Sequence, residues 1–341
     1  MSLHVLATGI SGPADELDPL VSAGHRVTVE RPLDQAGRSA WAEGELIAAA
    51  REVDVILASH LETISSRLLQ AAPRLRLVIV PFIGTDKIDV EAATRLGVLV
   101  ANSPTPENFT AVAESAIGLA LMLLKRVKHN EGKLRRGEWA ARGDRGDFLF
   151  GKTVGIVGLG RIGARVARRL TGWEVRLLAA DPYASRADAD ALGVTLVDLD
   201  LLLAESDVVT LHCALTHETH ALIGEKELRR MKPTAFLINT ARGEIVDEAA
   251  VCIALHGGWI AGAAVDAFAR EPLPADSPYR QVDPEKLILT PHNVAHSEAG
   301  RRANLALALE QILVLGRDEI PAHVVNPEAV ARRRSSQPEA R

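Results

Sequence analysis

Several features that mark whole classes of proteins are scarce or missing in this sequence. Aromatic residues make up 4% of the 341 residues and the formal net charge is −5 at pH 7, unlike the basic, aromatic-lined surfaces that bind nucleic acids. The only cysteines, Cys213 and Cys252, stand alone in apolar stretches, so we expect neither a disulfide framework nor a metal site. The chain shows no secretory leader and no apolar run of about 18 residues. We therefore expect a cytoplasmic protein with no membrane segment and no nucleic-acid partner.

The sequence instead shows a regular alternation of short apolar, β-branched runs with longer amphipathic runs. A chain of 341 residues exceeds a typical single core, so two domains are expected. The runs predict strands at residues 4–8, 26–30, 54–59, 75–81 and 98–102, and, after a long helix from Pro106, at 153–157, 174–180, 207–212, 235–240, 261–265 and 287–290. This alternation is typical of right-handed βαβ units. The predicted fold class is α/β, with two doubly wound parallel-sheet domains.

One glycine-rich turn stands in the context that dinucleotide binding requires. The predicted strand 153–157 runs into Gly158, Gly160 and Gly163, and a helix begins directly after them. The first glycine permits a tight turn, the second lets the backbone approach a pyrophosphate, and the third lets the helix pack on the strand. Asp181 ends the next predicted strand, where a carboxylate accepts hydrogen bonds from the adenosine 2′-hydroxyl and repels a 2′-phosphate. The predicted cofactor is NAD, with NADP as the alternative because Arg186 lies nearby.

Three polar residues follow three predicted strands of the second part and form a candidate catalytic set. Arg242, Glu271 and His292 come after the strands at 235–240, 261–265 and 287–290, and ligands of an open α/β sheet bind at such carboxyl ends. His292 has a pKa suited to proton exchange near neutral pH, Glu271 would favour its imidazolium form, and Arg242 would bind a carboxylate through two hydrogen bonds. The structural alternatives are a surface ion pair for Arg242, a turn cap for Glu271 and a strand-end histidine for His292.

Four segments in chain order, GKTVGIVGLGRIG, INTARGEIVDE, AVDAFAREPLP and LTPH, resemble the D-isomer-specific 2-hydroxyacid dehydrogenase family. The resemblance extends from the first predicted strand to Pro327. It implies a Rossmann NAD-binding domain, residues 104–295, inserted into a flavodoxin-like substrate domain, residues 1–103 and 296–327. It also implies a homodimer and a catalytic set of Arg242, Glu271 and His292. The basic, serine-bearing residues 328–341 are predicted to be a disordered tail.

The resemblance further implies which residues bind ligands. Besides the three glycines, it implies cofactor contacts at Arg161, Ile162, Asp181, Thr240, Ala241 and Asp266. A loop of the first domain, residues 82–86 with Ile83 and Gly84, resembles the one that presents backbone N–H groups to the substrate carboxylate. Asn108 stands where the family carries an active-site asparagine, with a helix N-cap as the alternative.

Two stretches depart from the family pattern and bear on the substrate. The phosphoglycerate-oxidising branch usually carries an arginine–serine pair after the third strand, whereas residues 59–62 read SHLE. These residues include no arginine that could bind a phosphate, and His60 can replace an arginine only in part. The carboxylate of Glu62 is expected to repel a dianionic substrate. After the candidate catalytic histidine the family usually continues with small residues. Residues 293–296 read NVAH instead. We therefore expect a bulkier wall on the cofactor side of the pocket, where His296 either makes an additional polar contact or lies at the rim.

These inferences combine into one expected activity. We expect an NAD-dependent oxidoreductase that interconverts a D-2-hydroxy acid and its 2-oxo acid by hydride transfer, acting on an unphosphorylated substrate of the glyoxylate or hydroxypyruvate type. The alternatives are D-3-phosphoglycerate as substrate, formate or phosphite as hydride donor, and an NAD(H)-sensing transcriptional co-regulator without catalysis. The short stretch after Asn326 also predicts no appended sensing domain of roughly 70 residues.

Overall fold

The computed structural model describes residues 1–9, 12–29 and 41–336, with side chains up to residue 332. The chain divides into two compact units, of which the first consists of Met1–Asn108 with Ser297–Arg341 and the second of Phe109–His296. The sequence predicts the boundaries after residues 103 and 295. Each unit has its own parallel sheet.

Twelve strands form the two sheets in the described part of the chain. They are β1 (His4–Ala7), β2 (Arg26–Val29), β3 (Val55–Leu57), β4 (Leu77–Ile79) and β5 (Leu99–Ala101) in the first unit, and β6 (Thr153–Val157), β7 (Arg176–Ala180), β8 (Val194–Leu196), β9 (Val208–Leu211), β10 (Phe236–Asn239), β11 (Gly262–Val265) and β12 (Leu287–Leu289) in the second. All but β8 lie inside predicted strands; Glu30, the predicted end of the second strand, lies outside the described residues. β8 was not predicted because it is short and has Thr195 exposed at its centre, so it shows no apolar run.

Helices connect these strands and cover both faces of the sheets. They are α1 (Asp18–Ser22), α2 (Glu43–Ala50), α3 (Ser66–Ala71), α4 (Val90–Arg95), α5 (Pro106–Leu124), α6 (Val127–Arg135), α7 (Gly163–Leu170), α8 (Arg186–Ala191), α9 (Leu199–Glu205), α10 (Glu225–Leu228), α11 (Glu248–Gly257), α12 (Glu298–Gly316) and α13 (Glu328–Ser336). Several begin after a serine or aspartate whose side chain accepts a hydrogen bond from a backbone N–H of the first turn, among them Ser65, Asp89, Asp247 and Ser297. Such caps satisfy donors that the helix itself leaves unpaired.

The sheet of the first unit has the order β2-β1-β3-β4-β5, with all neighbours parallel. This is the flavodoxin-like order. Its central strands are apolar on both faces because both faces are covered. One face packs against a cluster that includes Trp41 and Leu68, and the other packs against Leu305 and Ile312 of α12.

The sheet of the second unit has the order β12-β11-β10-β9-β6-β7-β8 and is parallel throughout. From β6, the first strand of this unit along the chain, the order runs outward through β7 on one side and β9 on the other, which is the Rossmann arrangement. All five residues of β6 are buried. The crevice where such sheets bind ligands lies at the carboxyl end of β6, where the strand order reverses. The predicted fold class, with two doubly wound parallel sheets, is confirmed.

Helix α5 is long and apolar enough, by length and composition alone, to cross a membrane. Of its apolar window 39% is buried, and Ala113, Leu119 and Leu123 lie in one buried cluster with Ile156 and Val166. A core helix passes the same test of length and composition. We therefore describe α5 as a helix that packs part of its surface on the core of the second unit.

The C-terminal segment corrects one prediction. The sequence predicts a disordered tail over 328–341, but Glu328–Ser336 form α13, which packs against α4. Ala329 is fully buried, and the side chain of Asn326, just before the helix, binds the backbone of Val98 and Val100. The prediction was wrong because the basic, serine-rich composition gives no indication of these contacts. Residues 337–341 lie outside the described residues.

A network of charged side chains fixes the segment that follows α5. His129 of α6 places both ring nitrogens against carboxylates, with Nε2 2.8 Å from Asp144 and Nδ1 2.5 Å from Glu285. Lys133 binds the second oxygen of Asp144 at 2.5 Å. Asp144 and Glu285 raise the pKa of His129, while Lys133 and His129 hold the pKa of Asp144 far below its ordinary value. The network ties α6 to the turn before β12.

Candidate active site

The glycine turn after β6 is built by close backbone packing. Gly158 has φ +91°, and a Cβ there would lie 2.6 Å from the backbone nitrogen of Cys213, which follows β9. A Cβ at Gly163, the first residue of α7, would overlap the carbonyl oxygen of Gly158. A Cβ at Gly160 would meet nothing within 4 Å. Two of the glycines are therefore required by the protein's own packing, whereas the third faces open space that a ligand can occupy.

Asp181 lies directly beside this turn. One carboxylate oxygen accepts the backbone N–H of Leu159 at 2.7 Å, and the other accepts that of Tyr183 at 2.8 Å. The carboxylate is thereby fixed at the carboxyl end of β7, next to the glycine turn. This is the position in which a Rossmann fold presents an acidic group to a ribose.

The start of α7 is basic and packs on an aromatic ring. Arg161 and Arg165 place their guanidinium carbons 5.4 and 5.0 Å from the ring centre of Phe109, within the range of cation–π attraction. Arg165 also donates to the carbonyl of Arg161 at 2.7 Å. Ile162 occupies the N-cap position of the helix. Positive charge and the positive end of the helix dipole both favour an anion here.

Two buried polar atoms at the ends of the neighbouring strands β9 and β10 have no hydrogen-bond partner among the described residues. They are Nδ1 of His212 and Oγ1 of Thr240. Burial lowers the pKa of His212 to about 4, so its imidazole is neutral at physiological pH. Buried groups of this kind are normally paired. Together with the open space at Gly160, they fit a bound dinucleotide that supplies the missing partners.

Arg242 is held at the end of β10 by a residue that the sequence analysis did not single out. The side chain of the fully buried Asn239 donates to the carbonyl of Arg242 at 2.8 Å and accepts the N–H of Ala241 at 3.1 Å. The guanidinium itself donates to the carbonyl of Ala241 at 2.8 Å. A Cβ at Gly243 would overlap the backbone of Phe268, so the Arg242 turn packs closely on the segment that leads to Glu271.

His292 and Glu271 form the ion pair at the centre of the site. Nδ1 of His292 lies 2.7 and 2.9 Å from the two carboxylate oxygens of Glu271, and the N–H of Phe268 donates to one of these oxygens at 3.0 Å. Glu271 raises the pKa of His292, and desolvation and, to a smaller extent, the charge of Arg242 oppose this effect in part. Because the His292 side chain is 42% exposed, the second ring nitrogen can reach a ligand. The structure thus brings all three predicted catalytic residues together.

The backbone of His292 is left-handed, with φ +51°. Such a conformation is rare for a residue with a side chain and costs about 1–3 kcal/mol. Asp266, which is 4% exposed, holds the surrounding turn, because its Oδ1 accepts the hydroxyl of Thr290 at 2.6 Å and the N–H groups of Asn293 and Val294 at 3.1 and 3.3 Å. Strained residues that are fixed by their surroundings are common at functional sites.

His296 is exposed and ends the stretch 293–296 that follows His292. Desolvation, and then the charge of His292, lower the pKa of His296. Both effects favour the neutral form of its imidazole.

The predicted substrate residues of the first unit lie at the end of β4 and the start of α5. The carbonyl of Ile83, beside Gly84, accepts the side-chain amide of Asn102 at 2.8 Å. The hydroxyl of Thr105 accepts the N–H of Asn108 at 3.4 Å, and α5 begins before Asn108. Thr105 therefore occupies the capping position, and the N-cap alternative for Asn108 is wrong.

The predicted repulsion by Glu62 is not supported by its position. Its side chain is buried at 2% exposure, and its carboxylate accepts the hydroxyls of Thr8, at 2.9 Å, and of Ser59. The carboxylate is turned into the first unit, because hydroxyls at the ends of β1 and β3 bind it there. His60 is exposed, so the absence of an arginine is the feature of this stretch that bears on the substrate.

This chain is similar to known dehydrogenases in both sequence and structure. The family model for the NAD binding domain of D-isomer specific 2-hydroxyacid dehydrogenases matches residues 117–294. A glyoxylate reductase of Korarchaeum cryptofilum is 39% identical over 289 residues, which cover 84% of this chain and 86% of that protein. A D-3-phosphoglycerate dehydrogenase of Mycobacterium bovis is 39% identical over 286 residues, which cover 82% of this chain and 53% of that protein. The crystal structure of the TT0316 protein from Thermus thermophilus superimposes with a TM-score of 0.83 at 30% identity, covering 95% of this chain and all of that one.

The different surroundings of two glycines give a test of the cofactor site. Gly160→Ala adds a methyl group in open space, so the thermal unfolding temperature should stay unchanged while NADH binding weakens about tenfold or more, because the pyrophosphate needs this close approach. Gly163→Ala forces α7 away from the turn and should destabilise the protein by about 1–3 kcal/mol. NADH fluorescence titration and thermal melting measure the two effects, with Gly44→Ala on exposed α2 as the control. Wild-type NADH affinity in Gly160→Ala would contradict this assignment.

Proposed function

The chain belongs to the D-isomer specific 2-hydroxyacid dehydrogenase family, and we propose that it reduces small, unphosphorylated 2-oxo acids of the glyoxylate and hydroxypyruvate type. It is an NAD-dependent oxidoreductase that interconverts a 2-hydroxy acid and its 2-oxo acid. The observation that carries the proposal is the His292–Glu271 pair beside Arg242. A ketone–alcohol couple needs a group that exchanges a proton with the substrate oxygen, whereas formate and phosphite do not.

Each catalytic side chain has a task that its surroundings suit. Bound NAD supplies or accepts the hydride. His292 donates a proton from Nε2 to the oxygen of the 2-oxo acid, since Glu271 engages Nδ1 and favours the protonated ring. Arg242 binds the substrate carboxylate and polarises the adjacent carbonyl. In the reverse direction the neutral His292 takes the proton from the hydroxyl.

The second unit supplies the contacts that we propose for NAD. The backbone at Gly160, Arg161 and Ile162 would bind the pyrophosphate, and Asp181 would bind the adenosine ribose. At the ends of β10 and β11, Thr240, Ala241 and Asp266 would bind the nicotinamide half. In the first unit, we retain the predicted role of the loop with Ile83 and Gly84 in binding the substrate carboxylate, and of Asn108 as a substrate-binding residue.

The preference for an unphosphorylated acid depends on residues 59–62. Residues 59–62, directly after β3, contain no arginine, and a phosphate dianion is bound best by the planar guanidinium of an arginine. D-3-phosphoglycerate is the second candidate, because a dehydrogenase of that name is as similar in identity as the glyoxylate reductase. A co-regulator without catalysis would have no need of the paired Glu271 and His292.

A substrate panel tests this proposal directly. With NADH as donor, kcat/KM for glyoxylate or hydroxypyruvate should exceed that for 3-phosphohydroxypyruvate by about tenfold or more. In His60→Arg this ratio of kcat/KM values should be smaller, because the added guanidinium can bind the phosphate through two hydrogen bonds. Oxidation of NADH at 340 nm measures each rate. A preference for the phosphorylated acid in the wild type would overturn the substrate class, and no turnover with any 2-oxo acid would overturn the activity.

The His292–Glu271 pair also predicts the pH dependence. Reduction requires protonated His292, so kcat should be highest at low pH and decline as the pH rises through the raised pKa of His292. In Glu271→Gln this decline should move to lower pH, with a loss of about tenfold or more in kcat near pH 8. Oxidation of the hydroxy acid should show the opposite dependence. The exposed Glu225→Gln serves as the control, and an unshifted profile in Glu271→Gln would refute the proposed role of the pair.

We also propose that the protein is a homodimer, formed through the segment between α5 and β6. This segment exposes large apolar side chains, with Trp139 82%, Leu134 59%, Phe148 57% and Phe150 56% exposed. The His129–Asp144–Glu285 network fixes its start in place. Exposed apolar residues that are held in one position indicate an interaction surface, and the resemblance to a family of homodimers indicates a second copy as the partner.

Charged substitutions on this surface test the dimer. Trp139→Glu combined with Phe148→Glu should convert the dimer to a monomer at micromolar concentration, because two charges would enter an apolar interface. Leu201→Glu, at an exposed position on α9, is the matched control and should stay dimeric. Sedimentation velocity distinguishes the two masses. A dimer that survives the double substitution would place the interface elsewhere.

The cellular location that we propose is the cytoplasm. Both cysteines are free thiols, which fits a reducing compartment. Recovery of the protein from the membrane or secreted fraction of its native cells would contradict this location.

A further inference from the structure

One side chain beside the catalytic histidine has no role in the reaction as described so far. Thr290 follows β12 and stands two residues before His292. Its N–H donates to the carbonyl of Val265 at 3.1 Å, and its own carbonyl accepts the N–H of His292 at 2.9 Å. Its hydroxyl donates to Oδ1 of Asp266 at 2.6 Å. All three polar groups of this residue are therefore engaged around the His292 turn.

Oδ1 of Asp266 joins the two sides of that turn. Thr290 binds it from before His292, and the N–H groups of Asn293 and Val294 bind it from after His292. The carbonyl of Val294 is fixed in turn by the hydroxyl of Ser115 at 2.8 Å. Of the three bonds to Oδ1, the one from Thr290 is the shortest and the only one that comes from a side chain.

We propose that Thr290 is a positioning residue for proton transfer, whose hydroxyl, through Asp266, holds His292 in the left-handed conformation that keeps Nδ1 on Glu271. The left-handed backbone is unfavourable for a histidine, so contacts on both sides must hold it. A threonine suits this purpose because its branched Cβ restricts χ1 and fixes the direction of the hydroxyl. The part of the inference that concerns catalysis rests on the proposed function, whereas the geometry of His292 does not.

The charges that face His292 determine what loss of the hydroxyl would do. Glu271 and Asp266 stabilise the imidazolium, and Arg242 opposes it; His296 also responds to its charge. Without the Thr290 hydroxyl, the turn can relax toward ordinary backbone angles and the contact between Nδ1 and Glu271 loosens. Relaxation should therefore move the pKa of His292 down, toward its ordinary value, even in the absence of cofactor and substrate.

The experiment compares Thr290→Val, which keeps the shape and removes the donor, with Thr290→Ser, which keeps the donor. In full-length protein labelled with 15N-histidine, the resonances of His292 are identified by their loss in His292→Gln, and they are followed by NMR from pH 5 to pH 9. Thermal melting reports on stability. Thr195→Val on the exposed strand β8 is the control for the same substitution elsewhere.

We expect the His292 titration to shift to lower pH in Thr290→Val and to stay near the wild-type midpoint in Thr290→Ser and Thr195→Val. The kcat for reduction should fall by about one to two decades in Thr290→Val, because a displaced proton donor loses most of its effect. If Thr290→Val proves too unstable, Thr290→Ala, which is smaller and also lacks the donor, should show the same shift.

Two results would overturn the proposal. One is a His292 titration midpoint that stays at the wild-type value in both Thr290→Val and Thr290→Ala, whatever their melting temperatures. Such a result would mean that Thr290 contributes to stability but does not position His292. The other is an equal shift in Thr290→Ser, which would show that the hydroxyl is not the group responsible. Neither result depends on turnover. If the wild-type protein reduces no 2-oxo acid, the proposed function is refuted. The His292 titration would still test whether Thr290 holds His292 in position.

Discussion

The close approach of backbone segments at the end of β6 is the constraint on which the second unit depends. Gly158 lies against the turn after β9, and Gly163 lies against Gly158. These contacts set how near α7 and β9 come to the central strand. The N-terminus of α7, the carboxylate of Asp181 and the backbone of His212 all lie against this end of β6 or its turn. The open space at Gly160 lies in the same turn, so the candidate cofactor site is built where backbone segments pack closely around β6.

The three candidate catalytic side chains share a second feature, because hydrogen bonds from other residues hold each side chain or the turn that carries it. Asn239 binds the backbone of Arg242, the N–H of Phe268 binds Glu271, and Thr290 together with Asp266 holds the turn of His292. The bonds at Arg242 and Glu271 come from residues three positions away in the chain. The turn of His292 is held instead by Asp266, which follows the neighbouring strand β11. These bonds limit the motion of the three side chains at a half-exposed site.

The sequence predicted the fold, and it singled out the three candidate catalytic side chains that the structure brings together, because both leave strong patterns. Buried parallel strands appear as apolar runs, and reactive groups at strand ends appear as polar residues directly after such runs. β8 left no pattern, since Thr195 interrupts it and the strand is only partly buried. The supporting residues Asn239 and Thr290 were also missed, because a side chain that binds backbone groups needs only one hydroxyl or amide in the right place. The inward turn of Glu62 and the helical start of the supposed tail depend on contacts between segments far apart in the chain, which a linear pattern does not contain.

The position of His129 between two carboxylates couples the folded state to the proton concentration. A neutral imidazole carries one N–H and can donate to only one of Asp144 and Glu285, so the observed geometry requires the doubly protonated ring. In the unfolded chain the histidine titrates near its ordinary pKa, and folding therefore takes up a proton at pH values between that value and the raised one. The stabilisation is fully present below the unfolded pKa and is lost as the pH rises through the folded pKa. The segment that displays Trp139 and Phe148 is thus anchored in part by a bound proton, and loss of this proton in alkaline conditions should loosen the contact between α6 and the turn before β12, while Lys133 still binds Asp144.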